Sequence, residues 1–136
     1  KQSFFDECNR ILKPGGLVAF ADVLADTSVA RFLNGPVDQF TETGHKGLFI
    51  ETGDFSTWCE ASGLMHVSER TQRMSWHFDN EPQLLRYCQA LFGMTKANMA
   101  QVAKALSQHF DIQWDGEGVS LPWVLTYGVA QKPLVT

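Results

Sequence analysis

Hydrophobic positions near the start of the chain recur at spacings of three and four: Phe4, Phe5, Cys8, Ile11 and Leu12. That spacing places them on one face of a helix. Lys13-Pro14-Gly15-Gly16 ends the helix. Proline cannot continue it and biases the preceding residue toward extended backbone, while the glycines supply the freedom of a tight turn. The pattern then changes to Leu17-Val18-Ala19-Phe20-Ala21-Asp22, a short continuous apolar run closed by an acid. Such a run is expected of a strand covered on both faces, and a helix joined this tightly to it reads as part of a parallel α/β sheet.

Residues 23–46 lose that regularity and mix Asp, Thr, Asn, Gly and Pro with scattered apolar positions. Short helical pieces are expected at 29–33 and 37–40, with Asn34-Gly35-Pro36 as a turn between them. A connection of this length is either a lid or a plain surface crossing, and both readings stay open. Residues 52–62 put Phe55, Trp58, Cys59 and Ser62 on one side of a further helix, with Gly63 as its stop. From 65 to 76 the alternation predicts a strand, with Met65, Val67, Thr71 and Arg73 facing one way and His66, Ser68, Arg70 and Gln72 the other. So polar a strand calls for an edge position or a solvated face.

Asp79-Asn80-Glu81-Pro82 opens another helix, whose stripe is Leu84, Leu85, Cys88, Leu91 and Phe92. Gly93 breaks it, and Thr95 is placed to cap a second helix with the stripe Met99, Val102, Leu106 and Phe110. Asp115-Gly116-Glu117-Gly118 is a turn into a last strand. There Leu121, Trp123, Leu125, Tyr127 and Val129 alternate with Val124, Thr126, Gly128 and Ala130, and Trp123 and Tyr127, on one face, read as core rather than site. No linker, repeat or low-complexity stretch marks a second domain.

Composition narrows the function classes. The chain has 136 residues, 44% of them hydrophobic and 19% charged, which is ordinary for a folded globular domain and argues against disorder. A net charge of −4 gives no electrostatic footprint for nucleic acid or an anionic membrane. No apolar run approaches the roughly 18 residues of a membrane span, and no signal-peptide pattern opens the chain. The three cysteines Cys8, Cys59 and Cys88 are widely spaced and odd in number. They are expected to be reduced and packed in helices, which suits the cytoplasm, and no metal site is expected.

Four residues stand out as candidate substrate contacts. Asp22 ends the first strand, and in open α/β sheets ligands bind beyond strand ends; the alternative is an acid capping its own turn. His45, between Gly44 and Lys46, is either a lid-borne contact or a plain loop histidine. Trp76 and His77 belong to the cluster Trp76-His77-Phe78, which either lines a pocket mouth or plugs a corner of the sheet. Gly128 interrupts the last strand and marks a close backbone approach.

The stretch Arg10-Ile11-Leu12-Lys13-Pro14-Gly15-Gly16-Leu17-Val18-Ala19-Phe20-Ala21-Asp22 resembles the helix-to-fifth-strand junction of Rossmann-like S-adenosylmethionine-dependent methyltransferases that act on small molecules. The helix ending at Gly63 and the closing Gly128-Val129-Ala130-Gln131-Lys132-Pro133 are similar to later segments of that family, in its order. The resemblance implies an α/β fold with strands five, six and seven, the last antiparallel, flanking helices, and a two-helix insertion. It implies a small-molecule methyl acceptor, offering a carboxylate, a hydroxyl or a carbon. The phrases are most similar to the biotin-pathway malonyl-thioester O-methyltransferases and to quinone-pathway methyltransferases.

The family's glycine-rich turn after the first strand, and the acid after the second, have no counterpart here. Pro14-Gly15-Gly16 precedes a strand, whereas a cofactor-binding glycine turn follows one. Residues 1–136 are therefore expected to form the C-terminal portion of a methyltransferase domain, with no cofactor-binding residue and no assigned catalytic residue. S-adenosylmethionine is expected to serve the parent protein and not to bind this chain alone. The competing expectation is a non-catalytic module, a homo-oligomer paired through the sheet edge that strand four would otherwise cover.

Overall fold

The computed structural model describes residues 1–135. Helix α1 spans Gln2–Ile11 and gives way to extended backbone at Leu12, before the proline. Gly15 takes φ +79°, the left-handed conformation that a side chain resists. Strand β1 follows at Leu17–Asp22.

The irregular stretch is helical over more of its length than the sequence implies. Helix α2 (Ser28–Phe32) runs directly into a π-helical turn at Leu33–Val37 and then into the short α3 (Asp38–Phe40). Asn34-Gly35-Pro36 thus widens a helical path instead of breaking it. Pro36 has no N–H to give to an ordinary α-helical bond, which favours the wider winding.

Helix α4 (Asp54–Ala61) and strand β2 (Met65–Phe78) come next, followed by helices α5 (Glu81–Leu91) and α6 (Met99–His109). A short strand β3 (Gln113–Asp115) then forms a hairpin with β4 (Gly118–Gln131). The expected turn is present, with the Glu117 N–H donating to the Asp115 carboxylate at 2.8 Å, but the strand before it was not legible. The sheet is four-stranded in the order β1-β4-β2, with β3 also on β4. Strands β1 and β3 both run antiparallel to β4, with Phe20 opposite Gly128 and Trp114 opposite Val119.

The residues divide into two compact units, and each is discontinuous in sequence, so no linker marks their boundary. The first comprises 1–24, 49–72 and the chain from Leu125 on. Its core is Phe5, Cys8, Phe55, Cys59, Leu64 and Ala130, with Leu12, Val18, Phe20 and Trp58 packed against it. The Phe20 and Phe55 rings lie 4.5 Å apart and Phe5 touches both. The buried stripe of α1 is narrower than its apolar pattern, since Phe4 and Ile11 are exposed.

Strand β1 departs from the two-faced burial expected of it. Val18 and Phe20 turn inward, whereas Ala19 and Ala21 are exposed and Leu17 is 60% exposed. The helices α1 and α4 supply a cover for one face only. The two phrases that carry the family resemblance meet in this unit. Gly15 N–H donates to the Lys132 carbonyl and Lys132 N–H to the Gly16 carbonyl, both at 2.9 Å. The Lys132 ammonium reaches the Asn9 carbonyl at 2.6 Å, which ties α1 to the chain just beyond β4.

The second unit comprises 25–48 and 73–124 and has an aromatic core. Trp123 is stacked against Trp76 at 4.6 Å, Phe110 at 5.6 Å and Phe92 at 5.7 Å, and Phe110 meets Phe32 edge-on at 5.2 Å. Leu84, Leu85 and Cys88 of α5 and Val102, Ala105 and Leu106 of α6 are buried, while Leu91 and Met99 stay outside. Helix α6 is capped by Asn98, in a reciprocal capping box with Gln101, and not by Thr95. The Thr95 hydroxyl instead bonds Glu42 at 3.2 Å.

Along β4 the buried positions change parity. Val119, Leu121 and Trp123 are buried in the second unit, and Thr126, Gly128 and Ala130 in the first. Tyr127, expected in the core with Trp123, is only half-buried, as are Leu125 and Val129.

Candidate functional site

In the first unit Asp22 ends β1 opposite Thr126. One carboxylate oxygen accepts the Val23 N–H at 2.7 Å, and the other accepts from the Lys1 ammonium. The acid therefore caps its own turn at the strand end and is held by the Lys1 ammonium. Behind it the buried Thr126 shares a hydroxyl hydrogen bond of 3.0 Å with Thr71.

In the second unit Trp76 and His77 alternate along β2 and do not share a face. Trp76 sits in the aromatic stack, edge-on to Tyr87 at 5.9 Å, as a plug does. His77 is exposed, with Nδ1 3.1 Å from the Ser120 hydroxyl. The sheet carries Trp123 as core, as its alternation implied.

The most developed polar arrangement surrounds His45. Asn34, in the π-helical turn, accepts the Gly47 N–H at 2.8 Å and donates to the Gly47 carbonyl at 2.9 Å. The same side-chain oxygen is 3.1 Å from His45 Nδ1. Asp38, four residues after Asn34, accepts the His45 N–H at 2.6 Å. Sequence reasoning named His45 but missed Asn34 and Asp38. In the sequence Asn34 belongs to a turn signature, and its spacing from Asp38 gains meaning only once the segment is helical.

Burial disfavours the thiolate form at all three cysteines. Burial pushes Cys59 up to about 11 and Cys88 up to about 12, and raises Cys8 as well. Among the described residues no group of three or more His, Cys, Asp or Glu side chains is gathered as a metal would require, and no helix is long and apolar enough to cross a membrane. A pocket of about 270 Å³ in the second unit is lined by Leu84, Phe110 and Trp114 together with Glu81, Ser107 and Asp111. None of the four candidate residues lines it.

No family model and no curated protein matches the sequence. Among solved structures, the chain is similar to a protein of Bacillus halodurans C-125 proposed to be a methyltransferase, with a TM-score of 0.57 and 16% identity. The chain has a methyltransferase-like α/β fold. It is similar also to the YcgJ protein of Bacillus subtilis, with a TM-score of 0.55 and 14% identity. The matches cover 97% and 99% of this chain but 58% of each of those proteins. The chain thus spans little more than half the length of either.

Among the described residues, the two turns that lead from a named strand into a helix lack the glycines of an adenosyl-cofactor site. Such a site uses a glycine-rich turn leading from a strand into a helix. Here β1 leads into α2 through Val23-Leu24-Ala25-Asp26-Thr27, and β2 into α5 through Asp79-Asn80, neither with a glycine.

Proposed function

We propose that this chain is the acceptor-side half of an S-adenosylmethionine-dependent methyltransferase acting on a small molecule or an acyl thioester. The observation that carries the reading is the match of nearly the whole chain to 58% of a longer protein proposed to be a methyltransferase. The sheet order β1-β4-β2 supports it, with β1, β2 and β4 taken as strands five, six and seven and β4 as the reversed last strand. On this reading the adenosyl cofactor is held by elements outside these residues, and the chain alone is inactive. Asp22 is the candidate contact for the methyl acceptor in the first unit, and His45, Trp76 and His77 are the candidates in the second. The three free buried thiols fit a reducing, cytoplasmic setting.

Methyl transfer from a sulfonium requires chiefly alignment of the acceptor and exclusion of water. The test is isotopic methyl transfer by the full-length protein to a panel of carboxylic acids, acyl thioesters and quinols. Labelled product is expected with at least one class. A full-length protein that neither binds S-adenosylmethionine nor transfers its methyl group overturns the assignment.

Strand β1 favours a second reading. Among the described residues it stands at the end of the sheet order, beside β4, and it exposes Leu17, Ala19 and Ala21. An apolar edge of this kind pairs readily with another chain. The chain as it stands would then be a non-catalytic module, self-associating through β1. Sedimentation of the isolated chain is expected to show a dimer, and a folded monomer at high concentration overturns this reading.

A further inference from the structure

The pocket of about 270 Å³ in the second unit combines an apolar floor with a polar rim. The floor is formed by the buried Leu84 and Leu85 of α5 and by Phe110, just beyond α6. Trp114 of β3 stands beside them with 60% of its surface exposed. The rim is Glu81 at the start of α5, Ser107 of α6, and Asp111. The Ser107 hydroxyl gives its proton to the Lys104 carbonyl at 3.1 Å, so only its lone pairs are left for a ligand. Among the described residues, none forms an ion pair with either carboxylate or donates a hydrogen bond to it, and no lining residue is basic.

Apart from the Trp114 indole N–H, every polar side-chain atom of the lining is therefore an acceptor. An anion is repelled there, and a neutral alcohol leaves both carboxylates without a counter-charge. Glu81 suits the start of α5 in its own right, because an acid is favoured at the positive end of the helix dipole. Asp111 has no such local reason. It follows the cap of α6 at Phe110, beside the negative end of that helix, where carboxylate and dipole together favour a cation.

We propose that this pocket binds a small organic cation, a primary ammonium on a short apolar chain. The ammonium offers three N–H donors to the rim, the chain covers Leu84, Leu85 and Phe110, and Trp114 adds apolar surface and an aromatic ring that attracts cations. The volume lies below the roughly 300–1,000 Å³ of drug-sized sites, which fits a chain of a few carbons. The inference concerns binding and does not rest on the methyl-transfer reading.

The experiment is calorimetric titration of the full-length protein with n-hexylamine near pH 7, where a primary amine with an ordinary value of about 10.4 is protonated. Hexylamine is expected to bind saturably, at least about tenfold more tightly than hexan-1-ol, and hexanoate not at all. Each methylene removed from the amine is expected to weaken binding roughly fourfold. Hexyltrimethylammonium, a cation without N–H donors, is expected to bind more weakly than hexylamine; equal affinity overturns the assignment to a primary ammonium.

Variants locate the site. Glu81→Gln with Asp111→Asn, both at exposed positions, is expected to bring hexylamine down to the affinity of hexan-1-ol with an unchanged melting temperature. Ala103→Phe places a ring in the pocket and is expected to abolish binding of both; should that variant unfold, the charge variant decides the matter. Hexan-1-ol bound as tightly as hexylamine, hexylamine unaffected in the folded charge variant, or no binding at about 10 mM overturns the proposal. Absence of methyl transfer with hexylamine binding intact counts against the enzyme assignment and leaves this site standing.

Discussion

Phe20 on β1 lies directly across the ladder from Gly128 on β4, and its ring fills the space a side chain at 128 would need. A Cβ at Gly128 would stand 2.2 Å from Phe20 Cε1 and 2.6 Å from Phe55 Cε1. Gly128→Ala must therefore displace two rings of the first unit's core. A loss of about 1–3 kcal/mol is expected, read as a lower urea midpoint. Glycine inside a strand otherwise costs about 0.5–1 kcal/mol relative to alanine, so a stabilised variant would show that the rings do not occupy this space.

Asn98 and Thr95 make opposite predictions for the start of α6. Asn98 takes part in both hydrogen bonds of the capping box, and its replacement by alanine is expected to destabilise by about 1 kcal/mol. Thr95→Ala removes only an exposed bond to Glu42 and is expected to change stability by less than about 0.5 kcal/mol. Equal losses in chemical denaturation would contradict the placement of the cap.

Cys59 and Cys88 should be silent toward alkylating reagents at pH 8 until the chain unfolds. Burial holds them protonated up to about 11 and about 12. The sign of the accompanying pH effect follows from the raised values. Above the ordinary thiol value of about 8.5 the unfolded chain releases these protons while the folded chain keeps them. The stability they contribute is thus fully present below about pH 8.5 and is lost as pH rises toward the folded values. Urea midpoints between pH 8 and pH 10 should fall, and Cys88→Ala should flatten that fall; an identical slope in the variant would exclude Cys88 as a source.

Ala19 tests the free edge. It is exposed at the middle of β1, so a lysine there costs little in the monomer but opposes strand pairing. Sedimentation velocity should show Ala19→Lys shifted to monomer relative to the wild type, with an unchanged melting temperature. Identical sedimentation would place any self-association elsewhere on the molecule.

The elements with local causes were legible in the sequence. Pro14 and Gly15 end α1, Asn80 caps α5 by accepting the Gln83 N–H, and the close approach at Gly128 follows from a glycine inside an apolar strand. What tertiary packing decides was not legible. Ile11, Leu91 and Met99 fit their helical stripes, but the cores reach only part of each stripe. The parity change in β4 has no local signal, because Val124 and Leu125 are equally apolar. Among candidate site residues, His45 was visible from its glycine-flanked loop. Asn34 and Asp38 became visible only when the π-helical turn aligned them with it.

On the proposed reading, this chain carries the acceptor-side elements and the adenosyl cofactor is held elsewhere. Calorimetric titration of the folded 136-residue chain with S-adenosylhomocysteine, beside the same titration of the full-length protein, tests it most directly. Micromolar binding by the full-length protein and none by this chain is the expected pair of results. Micromolar binding by this chain alone would contradict the claim, because its strand-to-helix turns would then have to form a cofactor site without the glycine cradle.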